Sequence, residues 1–257
     1  MLIEVEGSRN SIVIYLEKDY EEVFYNILPF KSKARIWKKE LYFPIPTDLK
    51  VIGKPVRVHE VGKVYYWPPE KAICIFYGLS EPYTDVYYVG EIIGPLHIVS
   101  SIRHGEELIV KEHEISKEYE ELVKVLDKEL GYRVATPKIM NEPTLVISKY
   151  IENLRVAMVL NVENYGIYIE SEPIYKYLDD FISYSISTFI RRSLKERYTS
   201  ARLDLNEDGY VCITGVAKDI GELRLVIREI EKAYRLVVEK IVLEFLGIPR
   251  IRSIQSI

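Results

Sequence analysis

Short runs of apolar residues, each bounded by glycine, proline or asparagine, dominate the first half of the chain. Their β-branched and aromatic side chains predict β-strands. The predicted strands are Leu2 to Glu6, Ser11 to Leu16, Glu40 to Ile45, Val56 to His59, Lys63 to Trp67, Ala72 to Tyr77, Val86 to Ile92 and Leu108 to His113. This number of strands is enough to close a sheet around a core of side chains, so we expect a mainly-β closed barrel.

One short helix is predicted within the barrel region. Asp19, with Glu22 three residues later, fits an acidic capping box, and the apolar residues that follow have helical spacing. Pro29 ends this run because proline cannot continue a helix. The apolar residues occupy one face, so we expect the helix to lie across the mouth of the barrel.

After residue 115 the pattern changes to strands mixed with longer helical segments. Ser116 is a predicted N-cap, and Gly131 is the predicted end of that helix. Further strands are predicted at Tyr132 to Lys138, Thr144 to Tyr150, Leu154 to Val162, Gly166 to Glu170, Ala201 to Leu205 and Tyr210 to Gly215. We therefore predict two domains, a β-barrel over residues 1–115 and an α+β domain with an antiparallel sheet and long helices over residues 116–257.

Two long helices are predicted in the second domain. Ser171 is the predicted cap of the first, whose buried face would consist of Ile174, Leu178, Phe181, Ile182, Ser185, Phe189 and Ile190. The second runs from Asp219 to about Leu246, with apolar residues in alternating steps of three and four, as in a coiled-coil seam. The seam positions are Ile220, Leu223, Ile227, Ile230, Tyr234, Val237 and Ile241.

The last part of this helix carries apolar residues on several faces. A single sheet cannot easily cover Val238, Val242, Leu243 and Leu246 together with the seam. We therefore expect a homodimer formed through the C-terminal helix, with burial against the barrel as the alternative.

Composition narrows the class of function. With a net charge of −4 the chain has no global positive field, so a nucleic-acid binder is not expected. A basic cluster around Arg191 and Arg202 is interleaved with glutamates and is interpreted as a solvated, salt-bridged surface.

No apolar stretch approaches the roughly 20 residues that span a bilayer, and the first residues lack a signal-peptide pattern. A cytoplasmic protein without a membrane partner is expected, and the single glutamine, Gln255, fits a thermophilic source.

Cysteines and histidines do not suggest reactive chemistry. Cys74 and Cys212 lie in apolar runs and are predicted to be two buried free thiols. The histidines lack chelating spacing and are expected in exposed loops, so no metal site is predicted; they are His59, His97, His104 and His113. No nucleophile elbow and no phosphate-binding glycine motif occurs, so we predict no catalytic residue and no cofactor.

Three segments of the first half, Arg35 to Pro46, Gly62 to Pro69 and Ala72 to Gly78, follow a helix that ends at Leu28-Pro29. Their order resembles the prokaryotic cyclophilin-like barrel family, whose members are mostly of unknown function. The matching positions are Arg35, Trp37, Glu40, Tyr42, Phe43, Gly62, Trp67, Pro68, Pro69, Phe76 and Gly78. Glu70 stands where the family tends to have glycine, which would permit a positive φ, so the turn need not be identical. The element order of the second half is similar to the secretion-chaperone-like α+β fold, whose members bind protein segments and often dimerise.

The family name raises prolyl isomerisation, which needs an arginine that reaches the prolyl amide in an apolar pocket. The Phe-His-Arg and Gln-Gly-Gly-Asp-like strings of authentic cyclophilins are absent, so no catalytic residue carries over. Arg35 and Arg57 lie near the aromatic strands and are the candidates if such a site was rebuilt. A surface pair between Arg35 and Glu40 is the simpler interpretation.

The leading hypothesis is a non-catalytic module whose barrel binds a small molecule or peptide near Trp67, with the α+β domain supplying a dimerisation or partner surface. The candidate ligand-binding residues are Arg35, Trp37, Phe43, Arg57, Tyr66 and Trp67. Tyr65 and Trp67 share one strand face and Tyr66 lies on the other, so part of the aromatic set is expected to be core. A peptidyl-prolyl isomerase with a rebuilt site and a purely structural assembly protein are the alternatives.

Overall fold

The structure, a computed structural model, describes residues 1–242. The chain forms two compact units, of which the first comprises Met1–Lys149 and Ala157–Val159. The second comprises Tyr150–Val156 and the residues from Leu160 onward. Residues 116–149, assigned to the second domain from the sequence, thus pack within the first unit, and a domain boundary after residue 115 stays a prediction. Within residues 1–242, no helix has the length and apolar character that crossing a membrane requires.

Nine antiparallel strands of the first unit form a nearly closed barrel, which confirms the predicted fold. In chain order the strands are β1 (Leu2–Glu6), β2 (Ser11–Leu16), β3 (Phe30–Lys33), β4 (Arg35–Trp37), β5 (Glu40–Pro44), β6 (Lys63–Trp67), β7 (Ala72–Phe76), β8 (Tyr87–Ile93) and β9 (Glu107–Glu112). Their order in the sheet is β3-β9-β1-β2-β8-β6-β7-β5-β4.

A single buried residue links the two ends of this sheet. Ala34 follows β3 and precedes β4, its amide donates to the carbonyl of Glu106 at 2.8 Å, and its carbonyl accepts from the amide of Gly105 at 2.8 Å. Near it the Ser32 hydroxyl donates to the carbonyl of Pro44 at 2.7 Å, which ties β3 to β5. The sheet therefore curves back on itself, because its first and last strands are neighbours in the chain.

Some local predictions for the barrel are wrong. Helix α1 (Lys18–Ile27) has Glu17 rather than Asp19 at its N-cap, without a side-chain cap bond, although it ends at Leu28 as expected. The predicted strand from Val56 to His59 is reduced to an isolated bridge between Val56 and Val86. Strands β3 and β4 were not predicted.

The barrel core is filled by alternate strand residues and by one side of α1. Phe24 of α1 packs into it with strand residues such as Leu41, Phe43, Tyr66 and Ile75. These side chains are at most 1% exposed. Because strand residues alternate between faces, their immediate neighbours on β5, β6 and β7 point away from this core.

The rest of the first unit follows β9. A 3₁₀ turn over Lys117–Tyr119 leads into α2 (Glu120–Val123), which continues as a π-helix over Lys124–Glu129. Ser116 precedes the turn but makes no side-chain cap bond. Two antiparallel pairs follow, in which β10 (Arg133–Ala135) pairs with β13 (Leu145–Ile151) and β11 (Lys138–Ile139) pairs with β12 (Glu142–Pro143).

The second unit is an α+β arrangement, as predicted. Its elements are β14 (Leu154–Glu163, except Ala157–Val159), β15 (Gly166–Ser171), β16 (Tyr175–Lys176), α3 (Phe181–Lys195), β17 (Arg202–Leu205), β18 (Tyr210–Ala217) and α4 (Ile220–Arg235), the last continuing as a π-helix over Leu236–Val242. Strand β18 pairs antiparallel with β15, β16 and β17. Asp180 and Asp219 cap the two helices by accepting from the amides of Ser183 and Glu222 at 2.7 and 3.0 Å.

Helix α3 differs most from its prediction. Ser171 ends β15 instead of capping a helix, and its hydroxyl oxygen accepts from the amide of Ile213 at 2.9 Å. The helix starts only at Phe181, after the short strand β16 has paired with β18. Ile190 is buried as predicted, but Phe181 and Phe189 are 82% and 56% exposed. The predicted buried face of this helix is therefore wrong.

Helix α4 buries its seam within the second unit. Leu223, Ile227 and Ile230 are completely buried. Gly215 of β18 permits the close approach, because a Cβ atom there would lie 2.8 Å from a methyl group of Val226. The seam from Leu223 to Val237 is thus buried within the chain itself, whereas the side chains of Ile241, Val242, Leu243 and Leu246 lie outside the described part of the chain.

A carboxylate of α4 holds the segment that joins α3 to β17. Glu229 accepts hydrogen bonds from the amides of Thr199, Ser200 and Ala201 at 3.1, 2.6 and 3.3 Å. Burial opposes ionisation, but these amides, with the Thr199 hydroxyl, lower the pKa of Glu229 overall. The segment is therefore fixed by one charged side chain.

The close pairing of β2 with β8 requires a glycine at position 90. A Cβ atom at Gly90 would overlap the carbonyl oxygen of Tyr15, so the two strands would have to move apart. We expect Gly90→Ala to lower the free energy of unfolding by about 3 kcal/mol, measured by urea denaturation. Gly7→Ala is the control, since its Cβ would meet chiefly the carboxylate end of the flexible Glu106 side chain. Equal losses in both variants would contradict this explanation.

Candidate functional site

The outer face of the β5–β7 region carries a second, smaller cluster of buried side chains. Tyr65 of β6 and Cys74 and Phe76 of β7 lie in it with Val86. Val86 is held by reciprocal backbone hydrogen bonds with Val56, at 2.8 and 3.1 Å. This cluster forms the floor beside which the candidate site lies.

A cavity of about 270 Å³, here called the aromatic cleft, opens on this face. Four aromatic side chains and one carboxyl group line it. Its lining residues are Trp37 of β4, Glu40 and Tyr42 of β5, Trp67 of β6, and Pro82, Tyr83 and Val86 of the loop before β8. The chain contains two tryptophans, and both line this cleft.

Trp67 is fixed in position from two sides. Its indole nitrogen donates to the Thr84 hydroxyl at 2.8 Å, and its ring meets Tyr42 edge-on with centroids 6.1 Å apart. The next residues, Pro68–Glu70, form a 3₁₀ turn. The positive φ of 48° falls on Lys71, so Glu70 needs no glycine-like conformation. This explains how the chain tolerates glutamate at the position where the resembled family tends to have glycine.

Glu40 is the buried acid of the cleft. It lies opposite Trp37 on one side and Phe76 on the other, and it is only 6% exposed. Burial raises the pKa of Glu40, an effect that hydrogen bonding with the Cys74 thiol and the nearby His59 offset only in part. Burial, with the Glu40 charge, in turn raises the pKa of Cys74 far enough to keep this free thiol protonated at neutral pH.

His59 fastens the loop that follows β7. Its ring stacks on Phe76 with centroids 4.3 Å apart, and its two nitrogens lie 3.2 Å from a Glu81 carboxylate oxygen and from the Gly78 carbonyl. His113 is buried rather than exposed and contacts Glu4 at 3.3 Å. Within the described part of the chain, no three or more His, Cys, Asp and Glu side chains are grouped to hold a metal ion.

A second cavity of about 410 Å³ adjoins the cleft and shares Pro82 and Tyr83 with it. Arg57 lines this second cavity and pairs with Asp85. Its other lining residues are Pro68, Pro69, Thr84, Asp85 and Tyr87. The segment around Tyr83 therefore separates two neighbouring spaces on one face of the first unit.

The structure brings together some of the predicted site residues and separates others. Trp37 and Trp67 meet in the cleft, whereas Phe43 and Tyr66 are 0% and 1% exposed in the barrel core and line neither cavity. Arg35 pairs with Glu70, not with Glu40, so the predicted surface pair is wrong. Its guanidinium carbon lies 5.8 Å from the centre of the Tyr42 ring.

Five cleft residues were missed by sequence reasoning, namely Glu40, Tyr42, Pro82, Tyr83 and Val86. Glu40 and Tyr42 alternate with the core residues Leu41 and Phe43, so the period of two could have placed them on the outer face. Tyr83 lies in a loop without a periodic pattern, and the sequence offers no signal for it.

A larger trough of about 950 Å³ lies in the second unit, along α3 and β17. The basic cluster noted in the sequence lines it, with tyrosines between the charges. Its basic lining residues, Arg191, Arg192, Lys195 and Arg202, are all exposed. Because these long side chains are already solvated, the trough offers less for a specific ligand than the smaller, more apolar cleft.

Burial of Glu40 predicts a pH-dependent effect of its substitution. The folded pKa is raised above the ordinary value of 4.5, so the protein loses stability as the pH rises from that value to the folded pKa, because Glu40 ionises more readily in the unfolded chain. We expect the stability of Glu40→Gln relative to the unmodified protein to increase as the pH rises above 4.5 and to level off once the pH exceeds the raised folded pKa, measured by urea denaturation. Glu70→Gln, which loses only a surface ion pair, serves as the control. A stability difference that stays constant over this pH range would contradict the raised pKa.

Comparison with known proteins finds similarity for the first part of the chain. Residues 1–111 match the family model described as Cyclophilin-like. The solution structure of a hypothetical protein from Archaeoglobus fulgidus is similar at 25% identity over 44% of this chain and 94% of that chain, with a TM-score of 0.36. No curated protein matches. The similarity of the second half to the secretion-chaperone-like fold stays a prediction, whereas the family match over residues 1–111 confirms that the first part of the chain resembles the cyclophilin-like family.

Proposed function

We propose that the first unit is a non-catalytic binding module that holds a small molecule or a peptide segment in the aromatic cleft. The observation that carries this proposal is the set of four aromatic side chains and one buried carboxyl group around a space of about 270 Å³. Ligand sites in proteins are typically concave, mostly apolar and supplied with few polar groups. We also propose, from the sequence, that the protein is cytoplasmic and comes from a thermophilic source.

The cleft and its neighbour set the size of the ligand. About 270 Å³ lies just below the usual range of roughly 300–1,000 Å³ for ligand pockets, so the cleft suits one ring or one side chain. A longer ligand, such as a peptide, would extend past Tyr83 into the second cavity.

The states of the arginines favour binding over isomerisation. A prolyl isomerase needs a guanidinium directed at the prolyl amide, but Arg35 and Arg57 are engaged by Glu70 and Asp85. Neither arginine lines the aromatic cleft. Nucleophilic chemistry is disfavoured at Cys74, because burial keeps its thiol protonated.

Both tryptophans line the cleft, so selective excitation of tryptophan reports on this site. We expect members of a panel of small ring compounds and capped Xaa-Pro dipeptides to change the emission in a saturable way. Tyr83→Ala should weaken the best binder about tenfold, because an aromatic contact of about 1 kcal/mol and its apolar area are lost. Tyr25→Ala, an exposed tyrosine that lines neither cavity, should not change the affinity.

Two results would contradict this proposal. The first is the absence of any saturable change across the panel, or binding that Tyr83→Ala leaves unaltered. The second is acceleration of Xaa-Pro isomerisation in a protease-coupled assay that disappears in Arg35→Ala or Arg57→Ala, which would make the isomerase the better interpretation.

We further propose that the second unit self-associates, through α3 and not through the C-terminal helix. Five large apolar side chains at and before α3 are more than half exposed, and we call them the α3 face: Leu178, Phe181, Ile182, Tyr184 and Phe189. Exposed apolar side chains on monomers are usually scattered singly, so five of them on one short segment indicate an interaction surface. A second copy of the chain presents the same face, so a two-fold contact would bury both at once.

Charged substitutions on the two helices separate the possible interfaces. We expect a dimer by light scattering coupled to size exclusion, and we expect Phe181→Asp and Phe189→Asp to dissociate it, because a carboxylate would be buried between the copies. Leu225→Asp on α4, at a site 58% exposed, is the matched control and should leave the dimer intact. A monomeric unmodified protein would overturn the proposal, and dissociation by Leu225→Asp alone would return the interface to the C-terminal helix.

A further inference from the structure

The charge of the aromatic cleft restricts the chemistry of its ligand. Among the described residues that line it, Glu40 is the one carboxyl group, and no lysine or arginine side chain lines it. A carboxylate that is 6% exposed is costly unless a cation or several hydrogen bonds compensate it. Its polar neighbours inside the protein are the Cys74 thiol, a weak donor, and His59, whose ring already contacts Glu81 and Gly78.

The aromatic rings of the cleft add a second attraction for positive charge. The faces of tyrosine and tryptophan rings are electron-rich and bind cations within about 6 Å. The chain's own cations already use two of the four rings, since Lys38 Nζ lies 4.2 Å from the Trp37 ring centre and Arg35 lies over Tyr42. Within the described residues no such cation lies over Trp67 or Tyr83, so those two rings remain for a ligand.

We infer that the cleft binds an organic ammonium group, alkylated or methylated, against Trp67 and Tyr83 with Glu40 as its counter-charge. This inference rests on the proposed function and names the ligand class for the same site. The carboxylate compensates the positive charge of such a group, and the aromatic rings contact its apolar substituents. Neither a carboxylate alone nor aromatic rings alone would do both. The volume of about 270 Å³ is sufficient for one head group of the size of choline.

Two sources could supply this chemistry: a free quaternary amine, or a methylated lysine side chain within a peptide. The adjoining cavity distinguishes them, since it shares Pro82 and Tyr83 with the cleft and would contact the residues that flank a bound lysine. Tyr87 lines that cavity and not the cleft. Tyr87→Ala is therefore expected to weaken a peptide that contains trimethyl-lysine and to leave choline binding unchanged.

A matched pair of probes isolates the charge. Choline and 3,3-dimethylbutan-1-ol have nearly the same shape, but only choline carries a positive charge. With the full chain we expect choline to bind at least about tenfold more tightly than the alcohol, measured by tryptophan emission and by calorimetry.

Substitution of the carboxyl group completes the test. Glu40→Gln should reduce the affinity for choline to that of the alcohol, while the affinity for the alcohol stays the same. Glu70→Gln, a nearby acid that does not line the cleft, should change neither. Tyr83→Ala offers an independent variant and should weaken choline more than the alcohol, because the ring acts on the charge.

The outcomes separate this inference from the proposed function. Equal binding of the two probes, or choline binding that survives Glu40→Gln, overturns the ammonium ligand while leaving the cleft as a binding site. Absence of choline and trimethyl-lysine peptide binding also overturns the inference, even if a neutral member of the earlier panel binds.

Discussion

The strict alternation of side chains on β5, β6 and β7 is the constraint on which the rest of the first unit depends. Residues such as Leu41 and Tyr66 fill the interior, so their neighbours on each strand must point outward. Those neighbours are largely aromatic or buried polar groups, and other parts of the chain must shield them from water. The loop that carries Val86 and the ring of His59 supply it. The aromatic cleft is the space that this cover leaves open, and the site is therefore a by-product of how the barrel packs.

Curvature of the sheet gives the cleft its position. Because β3 and β4 are joined through Ala34, β4 is carried to the far edge beside β5, where Trp37 faces the outer cluster. A flat sheet with separate edge strands would leave that tryptophan unsupported. The hydrogen bond from Trp67 to Thr84 then sets the opposite wall. The connection through Ala34 therefore both closes the barrel and sets the geometry of the cleft.

Strong local patterns in the sequence were sufficient to predict most of the barrel. Runs such as Lys63 to Trp67 and Ala72 to Tyr77 combine branched and aromatic residues with clear ends, and both form strands. Strand β3 was not predicted because it has only four residues, in which lysines alternate with Phe30 and Ser32. The face of α3 could not be assigned, since apolar residues occur around the whole helix and its start depends on the pairing of β16 with β18. For the site, the tryptophans were identified, but Glu40 was treated as a surface partner of Arg35.

The contact of Glu229 with residues 199–201 has a consequence for the trough beside α3. Consecutive backbone amides that point to one spot form an anion-binding nest, the arrangement with which many proteins capture phosphate. Here the nest is already occupied from within, by a side chain whose pKa is lowered and which therefore stays ionised at neutral pH. A phosphate could bind these amides only by displacing the Glu229 carboxylate, which is also negatively charged and is attached to the chain. This end of the trough is thus closed to anions by the protein's own carboxylate, despite the basic residues around it.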